Sequence, residues 1–350
     1  MNSSVRRHGT SLSRQLGLTE RLLASPATKR LIAAVDDGLD RLEAELVTSL
    51  RSTDALVDST SRYLLEAGGK RVRPMLLFLT AQLGDGTTTE VIDAAQGIEI
   101  THLGSLYHDD VMDESDRRRG VPSAHRVWGN SVAILAGDLL FSKASQLMSA
   151  LGDRASALQS ETFERLVLGQ LHETVGPAEG EDREQHYIQV LADKTGSLIA
   201  AAARAGVIFS NAPREFETPV LEYGERIGIA FQLADDVLDL SADPAVTGKV
   251  PGTDLRAGVD TLPTIRLRRL ADAGDADAAA LVARIDDADA DDAAFADTVA
   301  VLRDHEVTRS ALADARRWSD EAVRALDPLP AGAVKDALVR FAGTIVDRSS

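Results

Sequence analysis

The chain has 350 residues, 44% of them hydrophobic but only 4% aromatic, with no cysteine and a formal charge of −17. Disulfides, thiolate metal sites and cysteine nucleophiles are therefore excluded, and the negative charge argues against general binding to nucleic acid or anionic membranes. A core rich in Ala and Leu and poor in aromatics suits packed helices better than sheets.

In chain order, "MNSSVRRHGTSLSRQLGLTERLLA" carries basic residues without the continuous apolar run of a secretory signal. Residues 1–20 are expected to be loosely ordered. "AVDDGLDRLEAELVTSL" (34–50) sets Val35, Leu39, Leu42, Leu46 and Leu50 at spacings of three and four, one helical stripe. "VIDAAQGIEITHLGSLYHDDVMD", "VAILAGDLLFSKASQLMSAL" and "ETFERLVLGQLHETV" repeat the helical period. Turn residues punctuate the chain at 67–74, 84–89, 119–123, 176–184, 211–215 and 243–254. Residues 271–300 hold nine Asp and one Arg in an Ala-rich background and read as a solvated surface; "DADADD" (287–292) lacks the Gly and Glu of a calcium loop. No uninterrupted apolar run of about eighteen residues exists, so no membrane span is expected. No linker divides the chain. The expected fold is one all-α domain over 21–350, a bundle of ten or more helices.

Asp109, Asp110 and Asp113 form a D-D-x-x-D motif at the end of an apolar segment. On a helix Asp109 and Asp113 share a face one turn apart, with Ser105 and His102 behind them on the same stripe. A polar stripe on an apolar helix calls for a cavity. "AFQLADDVLDL" repeats the spacing with Asp235, Asp236 and Asp239. Two or three carboxylates are too few for an all-protein cage, but they suit Mg²⁺, which takes its remaining ligands from water and substrate phosphates. Two such motifs point to a diphosphate clamped between helices. Fixed positive charge for it is available in "GGKRVRP" (68–74), which carries Lys70, Arg71 and Arg73. Arg118 and Arg119, Lys194 and Lys249 supply more.

With "GGKRVRP", "DDVMDESDRRRG", "GQ" (169–170), "KTG" (194–196), "FQLADDVLD" and "GKVPGTDL" in order, the chain resembles the (E)-polyprenyl diphosphate synthases, or trans-prenyltransferases, from about Ser61 to Pro263. The resemblance implies helices around a deep central cavity and condensation of isopentenyl diphosphate onto an allylic diphosphate. It implies Mg²⁺, three ions with substrate bound, and a homodimer or the catalytic half of a heteromer. A cytoplasmic location is expected, with which the lack of cysteine is compatible.

Residue by residue, it makes Asp109, Asp113 and Asp235 the main metal ligands, supported by Asp110, Asp236 and Asp239. Arg118, Lys194 and Lys249 would hold the allylic diphosphate. Lys70, Arg73, His102 and Arg119 would hold isopentenyl diphosphate, and Gln170 would be a further substrate-binding residue. Thr195 and Gln232 would stabilise the developing cation, and Phe231 would line the condensation site. Val259 stands where the family often has lysine, so a weaker allylic grip is expected. Family members set product length just upstream of the first motif, where Gly104 and Ser105 are small. A medium-to-long product, about C30–C50 and suited to a quinone side chain, is expected. A short-chain farnesyl or geranylgeranyl synthase is the alternative, and a class I terpene cyclase, which lacks the second motif and "GGKRVRP", a remoter one.

Overall fold

The computed structural model describes residues 25–241, 251–287 and 291–347. The segment expected over 1–20 and the candidate cation Lys249 lie outside the described residues. In chain order the elements are α1 (Pro26–Ser49), α2 (Ala55–Glu66), α3 (Val72–Ala81), α4 (Thr89–Met112), β1 (Arg117–Arg118), β2 (Val121–Pro122), α5 (Ala124–Trp128), α6 (Asn130–Ala150), α7 (Asp153–Val175), α8 (Arg183–Leu191), a π-helical turn (Ala192–Gly196), α9 (Ser197–Phe209), a 3₁₀ turn (Arg214–Phe216), α10 (Glu217–Ser241), α11 (Thr253–Arg256), α12 (Leu262–Asp272), α13 (Ala276–Ile285), α14 (Asp292–Asp304), α15 (Glu306–Ala325) and α16 (Ala333–Asp347). The fold is all-α: among the described residues the sheet is one short antiparallel hairpin, Arg117 opposite Pro122 and Arg118 opposite Val121.

The described chain forms two compact units. One runs up to Glu164 and includes Leu198–Leu221 and Asp327–Leu338; the other comprises Arg165–Ser197, Glu222–Leu326 and the residues from Val339 onward. Four of the five boundaries fall inside α7, α9, α10 and α16, and the fifth just after α15. Helix interiors carry no linker composition, which is why the sequence reads as a single domain.

In the first unit, Ser25 accepts the Thr28 amide at 3.1 Å and Pro26 opens α1, where its missing N–H leaves nothing unpaired. The stripe Val35, Leu39, Leu42, Leu46 and Leu50 is buried, as its spacing predicts. Thr88 caps α4 through the Val91 amide at 3.2 Å. From Val91 to Asp110 this helix is buried on nearly every side, yet it carries Gln96, Glu99, Thr101, Ser105 and Asp110 inside. Polar groups in such a place must be paired or serve chemistry. Helix α6 packs along α4 at unusually close range. A Cβ on Gly104 would lie 3.2 Å from the Gly137 carbonyl oxygen, and one on Gly137 would strike the His108 ring at 2.4 Å.

In the second unit, Leu240, Leu255, Leu267, Ala278, Leu281, Val299, Leu302 and Val307 form one buried cluster. The Asp-rich stretch contributes α13 and α14 to it through these apolar residues. Its described acids are exposed, and some cap helices: Asp275 accepts the Asp277 and Ala278 amides at 3.0 and 2.9 Å, and Asp291 accepts Ala294 at 2.8 Å. Each such cap contributes about 1 kcal/mol.

Candidate active site

The first motif sits where α4 ends. The Asp113 amide donates to the Asp109 carbonyl at 2.8 Å as the helix closes, so Asp109 and Asp113 lie one turn apart, as their spacing predicts. Glu114 then takes a left-handed backbone (φ 49°) and the chain turns into the β1–β2 hairpin. Asp110 is fully buried. Its Oδ1 accepts from Arg118 Nε at 2.6 Å, while its Oδ2 is buried with no hydrogen-bond partner among the described residues. Burial raises the Asp110 pKa, against the pull of Arg118. An orphaned, buried carboxylate oxygen of this kind fits a hard cation. Arg117 is exposed and closes the hairpin onto the Gly120 carbonyl at 2.6 Å.

Around this helix end stand the cations of the 68–74 loop and the hairpin. Gly68 (φ 93°) and Gly69 (φ 159°) carry the chain into α3, and Arg71, itself left-handed at φ 49°, precedes the first turn. Arg119 (φ 52°) donates Nη1 to the Leu64 carbonyl at 2.8 Å. Burial lowers its pKa to about 10, and repulsion from Arg71, Arg73 and Arg118 adds to that. Burial also lowers the pKa of Arg73, whose Nε is buried with no partner among the described residues. His102 is held well below the ordinary imidazole value, first by burial and then by Arg73, Arg119, Arg71 and Arg118. The ring is therefore neutral at physiological pH, and these four arginines and His102 share one electrostatic neighbourhood. Lys70 is exposed in the same loop.

The second unit holds the other motif on α10. Asp236 is buried and accepts from Tyr187 Oη and from Gln232 Nε2, the latter at 3.1 Å. Its pKa is pushed up to about 7, chiefly by burial, although both hydrogen bonds pull the other way. Thr195 Oγ1 donates to Gln232 Oε1 at 3.4 Å, so Thr195, Gln232 and Asp236 form one chain of polar contacts with Tyr187. Asp239 Oδ2 accepts the Asp254 amide at 3.1 Å, which ties α11 to the motif. Asp235 and Phe231 are half-buried on the same helix.

Lys194 and Thr195 occupy the π-helical turn, a widening that often marks functional sites. Lys194 Nζ pairs with Glu173. Two glycines admit the turn: a Cβ on Gly169 would meet the Lys194 amide nitrogen at 2.6 Å, and one on Gly228 would meet Gly196 Cα at 2.4 Å. Gln170 is buried beside Gly169, its Oε1 unpartnered among the described residues. Arg165 pins the turn, donating to Asp193 at 2.7 Å and to the Ala192 carbonyl at 3.3 Å.

Among the described residues no three His or acidic side chains converge into a ready metal cage. Each motif supplies too few carboxylates for a cage, so a divalent ion there would need further ligands, such as phosphate oxygens, to complete its shell.

At one predicted position the geometry differs from the expectation. Gly104 does not face open space, because a Cβ there would stand 3.0 Å from the Phe141 ring of α6. Phe141 in turn meets the His108 ring edge-to-face and lies tilted to Phe163, ring centres 5.3 and 4.6 Å away. Ser105 is buried and turned back onto the His102 carbonyl at 2.9 Å. The sequence offered no signal for Phe141, which lies 37 residues beyond Gly104 on another helix. Val259 is exposed after α11. Tyr187 and Glu99 also went unseen in the sequence, although "GIEITH" does place an acid inside an apolar helix.

These features place carboxylates and cations together on an all-α scaffold. Residues 54–300 match the family model described as polyprenyl synthetase. Over 234 residues the chain is 46% identical to a nonaprenyl diphosphate synthase of Mycobacterium tuberculosis, covering 67% of this chain and 70% of that one. A polyprenyl synthase from Caulobacter crescentus, crystallised with calcium and isoprenyl diphosphate, aligns with a TM-score of 0.82 at 28% identity, over 93% of this chain and 99% of that one. A geranylgeranyl pyrophosphate synthase from Corynebacterium glutamicum, also complexed with calcium and isoprenyl diphosphate, aligns at 0.80 and 39% identity, over 93% and 98%. The chain belongs to the polyprenyl synthetase family and is a prenyltransferase.

Proposed function

We propose that this enzyme condenses isopentenyl diphosphate onto an allylic diphosphate, repeatedly, to make a medium-to-long all-trans polyprenyl diphosphate. The observation that supports the reading is the end of α4, where the orphaned Asp110 oxygen lies among the half-buried cations of the 68–74 loop and the hairpin, groups that would suit the two halves of a metal diphosphate. Mg²⁺ supplies neutralisation of the leaving diphosphate when bound. Asp109, Asp110 and Asp113, and Asp235, Asp236 and Asp239, are the residues that would hold it, as three ions with substrate present.

The allylic carbon–oxygen bond breaks, and the electron pair leaves with the diphosphate, held by Arg118, Lys194 and Lys249. The isopentenyl double bond attacks the cation, and loss of one proton restores neutrality. Lys70, Arg73, Arg119 and neutral His102 hold the second diphosphate, and Gln170 is a further substrate-binding residue. Thr195 and Gln232 present oxygen dipoles to the cation, and Phe231 lines the reacting chain. No helix among the described residues is long and apolar enough to cross a membrane, and we place the enzyme in the cytoplasm. Residues 21–350 are read as a single prenyltransferase domain.

A second reading, a short-chain synthase, is favoured by Phe141 beside Gly104 and by the geranylgeranyl synthase relative. Product analysis with isopentenyl diphosphate, Mg²⁺ and primers of increasing length separates the two. The wild type should stop near C30–C50, and Phe141→Ala should extend the product by at least one isoprene unit. A wild-type stop at C15 or C20 would contradict the main reading. Identical products from both proteins would remove Phe141 as a determinant.

A further inference from the structure

The loop "GGKRVRP" offers three cations within four residues, and their surroundings give them different work. The Arg71 side chain is only 4% exposed and faces two carboxylates. Nη1 donates to Glu99 Oε1 at 3.0 Å, and Nη2 donates to Glu43 Oε2 of α1 at 3.3 Å. Two carboxylates leave it little capacity for a substrate, and its left-handed backbone is held by those same bonds. Arg73, by contrast, has a buried Nε without a partner among the described residues.

Glu99 is the buried acid of this neighbourhood, 2% exposed on α4, three residues before His102. A Cβ on Gly69 would stand 2.6 Å from Arg71 Nη1 and 3.0 Å from both Arg119 Cζ and Nη2, so the Arg71 and Arg119 guanidiniums flank that glycine. The Glu99 carboxylate is also the largest attraction acting on the charges of Arg73 and Arg119. Like-charged guanidiniums packed this closely repel, and burial removes the water that would screen them. A single internal acid relieves both effects without reaching the substrate.

We propose that Glu99 is a positioning residue of the isopentenyl diphosphate subsite: through Arg71 it locks residues 69–73, and as counter-charge it keeps Arg73 and Arg119 converged on the diphosphate. This rests on the reading of Arg73 and Arg119 as isopentenyl diphosphate binders. Glu43, 45% exposed, anchors Arg71 from outside and does not rank among the charges acting on Arg73 or Arg119.

The test is steady-state kinetics with each substrate varied in turn, alongside the thermal midpoint of each protein. Glu99→Gln should raise KM for isopentenyl diphosphate about tenfold or more, because one partner of a buried pair is lost. KM for the allylic primer should change less than about twofold, and Glu99→Asp should recover part of the loss. Glu43→Gln should raise the isopentenyl KM less than about threefold. Folded Glu99→Gln protein with unchanged isopentenyl KM, or with both KM values raised equally, overturns the proposal. If Glu99→Gln does not fold, Arg71→Lys, which keeps the charge and loses the fork, should show the same one-sided rise; equal KM values there overturn it as well. Absence of wild-type turnover would count against the synthase reading alone. Calorimetric titration with isopentenyl diphosphate then decides this one, equal affinity of wild type and Glu99→Gln contradicting it.

Discussion

Asp236 differs from its neighbour Asp235 in one physical respect: it is buried and hydrogen-bonded to Tyr187 and Gln232. Burial, reinforced by Asp254 and Asp235, lifts its pKa to about 7 in the metal-free protein. The folded value lies above the unfolded one, so the stability this group contributes is fully present at low pH and is lost as pH rises through about 7. Between about pH 4 and pH 7 the metal-free wild type should progressively lose thermal stability that an Asp236→Asn variant keeps, with no further loss above that range. Calorimetric scans of both proteins across that range check this, and parallel curves would show that Asp236 does not titrate there. The aspartates were legible in the sequence because a repeated i, i+1, i+4 acid pattern stands out against apolar helix. The division between Arg71 and Arg73 was not. It depends on Glu43 and Glu99, 28 residues away on either side, and adjacent cations in a loop carry no periodicity that would reveal it.

Helices are legible wherever one face is apolar, as in α1 and α10, and the described acids of the Asp-rich stretch lie exposed around α13 and α14, as its composition predicts. The π-helical turn at Ala192–Gly196 was not legible. "DKTG" reads as an ordinary break, and the widening is allowed by Gly169 and Gly228 from other helices. A Cβ on Gly228 would reach backbone, Gly196 Cα at 2.4 Å, so the turn itself must give way. Gly228→Ala should cost about 1–3 kcal/mol of stability and displace Lys194 and Thr195 together. Denaturant unfolding measures the first effect, and a raised KM for the allylic primer at unchanged isopentenyl KM the second. A variant as stable and active as wild type would show that the close packing is not needed.

For the molecule as a whole, exposed apolar side chains are concentrated on two helices. Ile134, Leu135 and Leu139 project from α6, and Leu168, Leu171 and Val175 from α7. Leu135 is 65% exposed, unusual for a leucine in a monomer when its neighbours are apolar too. We propose that a second copy of the chain covers these faces. Sedimentation should give a dimer for wild type and a shift toward monomer for Leu135→Asp; a monomeric wild type would leave these faces to another partner. The all-α fold was legible from composition and periodicity, whereas the division into two units was not, because most of its boundaries cut through continuous helices.

We propose, as the account's central claim, that both aspartate motifs are required for one Mg²⁺-dependent ionisation. Turnover of isopentenyl diphosphate with an allylic primer and Mg²⁺, compared for wild type, Asp109→Ala, Asp235→Ala and the double variant, tests it most directly. Groups acting as a unit are non-additive, so each single variant should lose at least about a thousandfold in kcat and the double little more. A single variant within about tenfold of wild type, or losses that multiply in the double variant, would contradict the account.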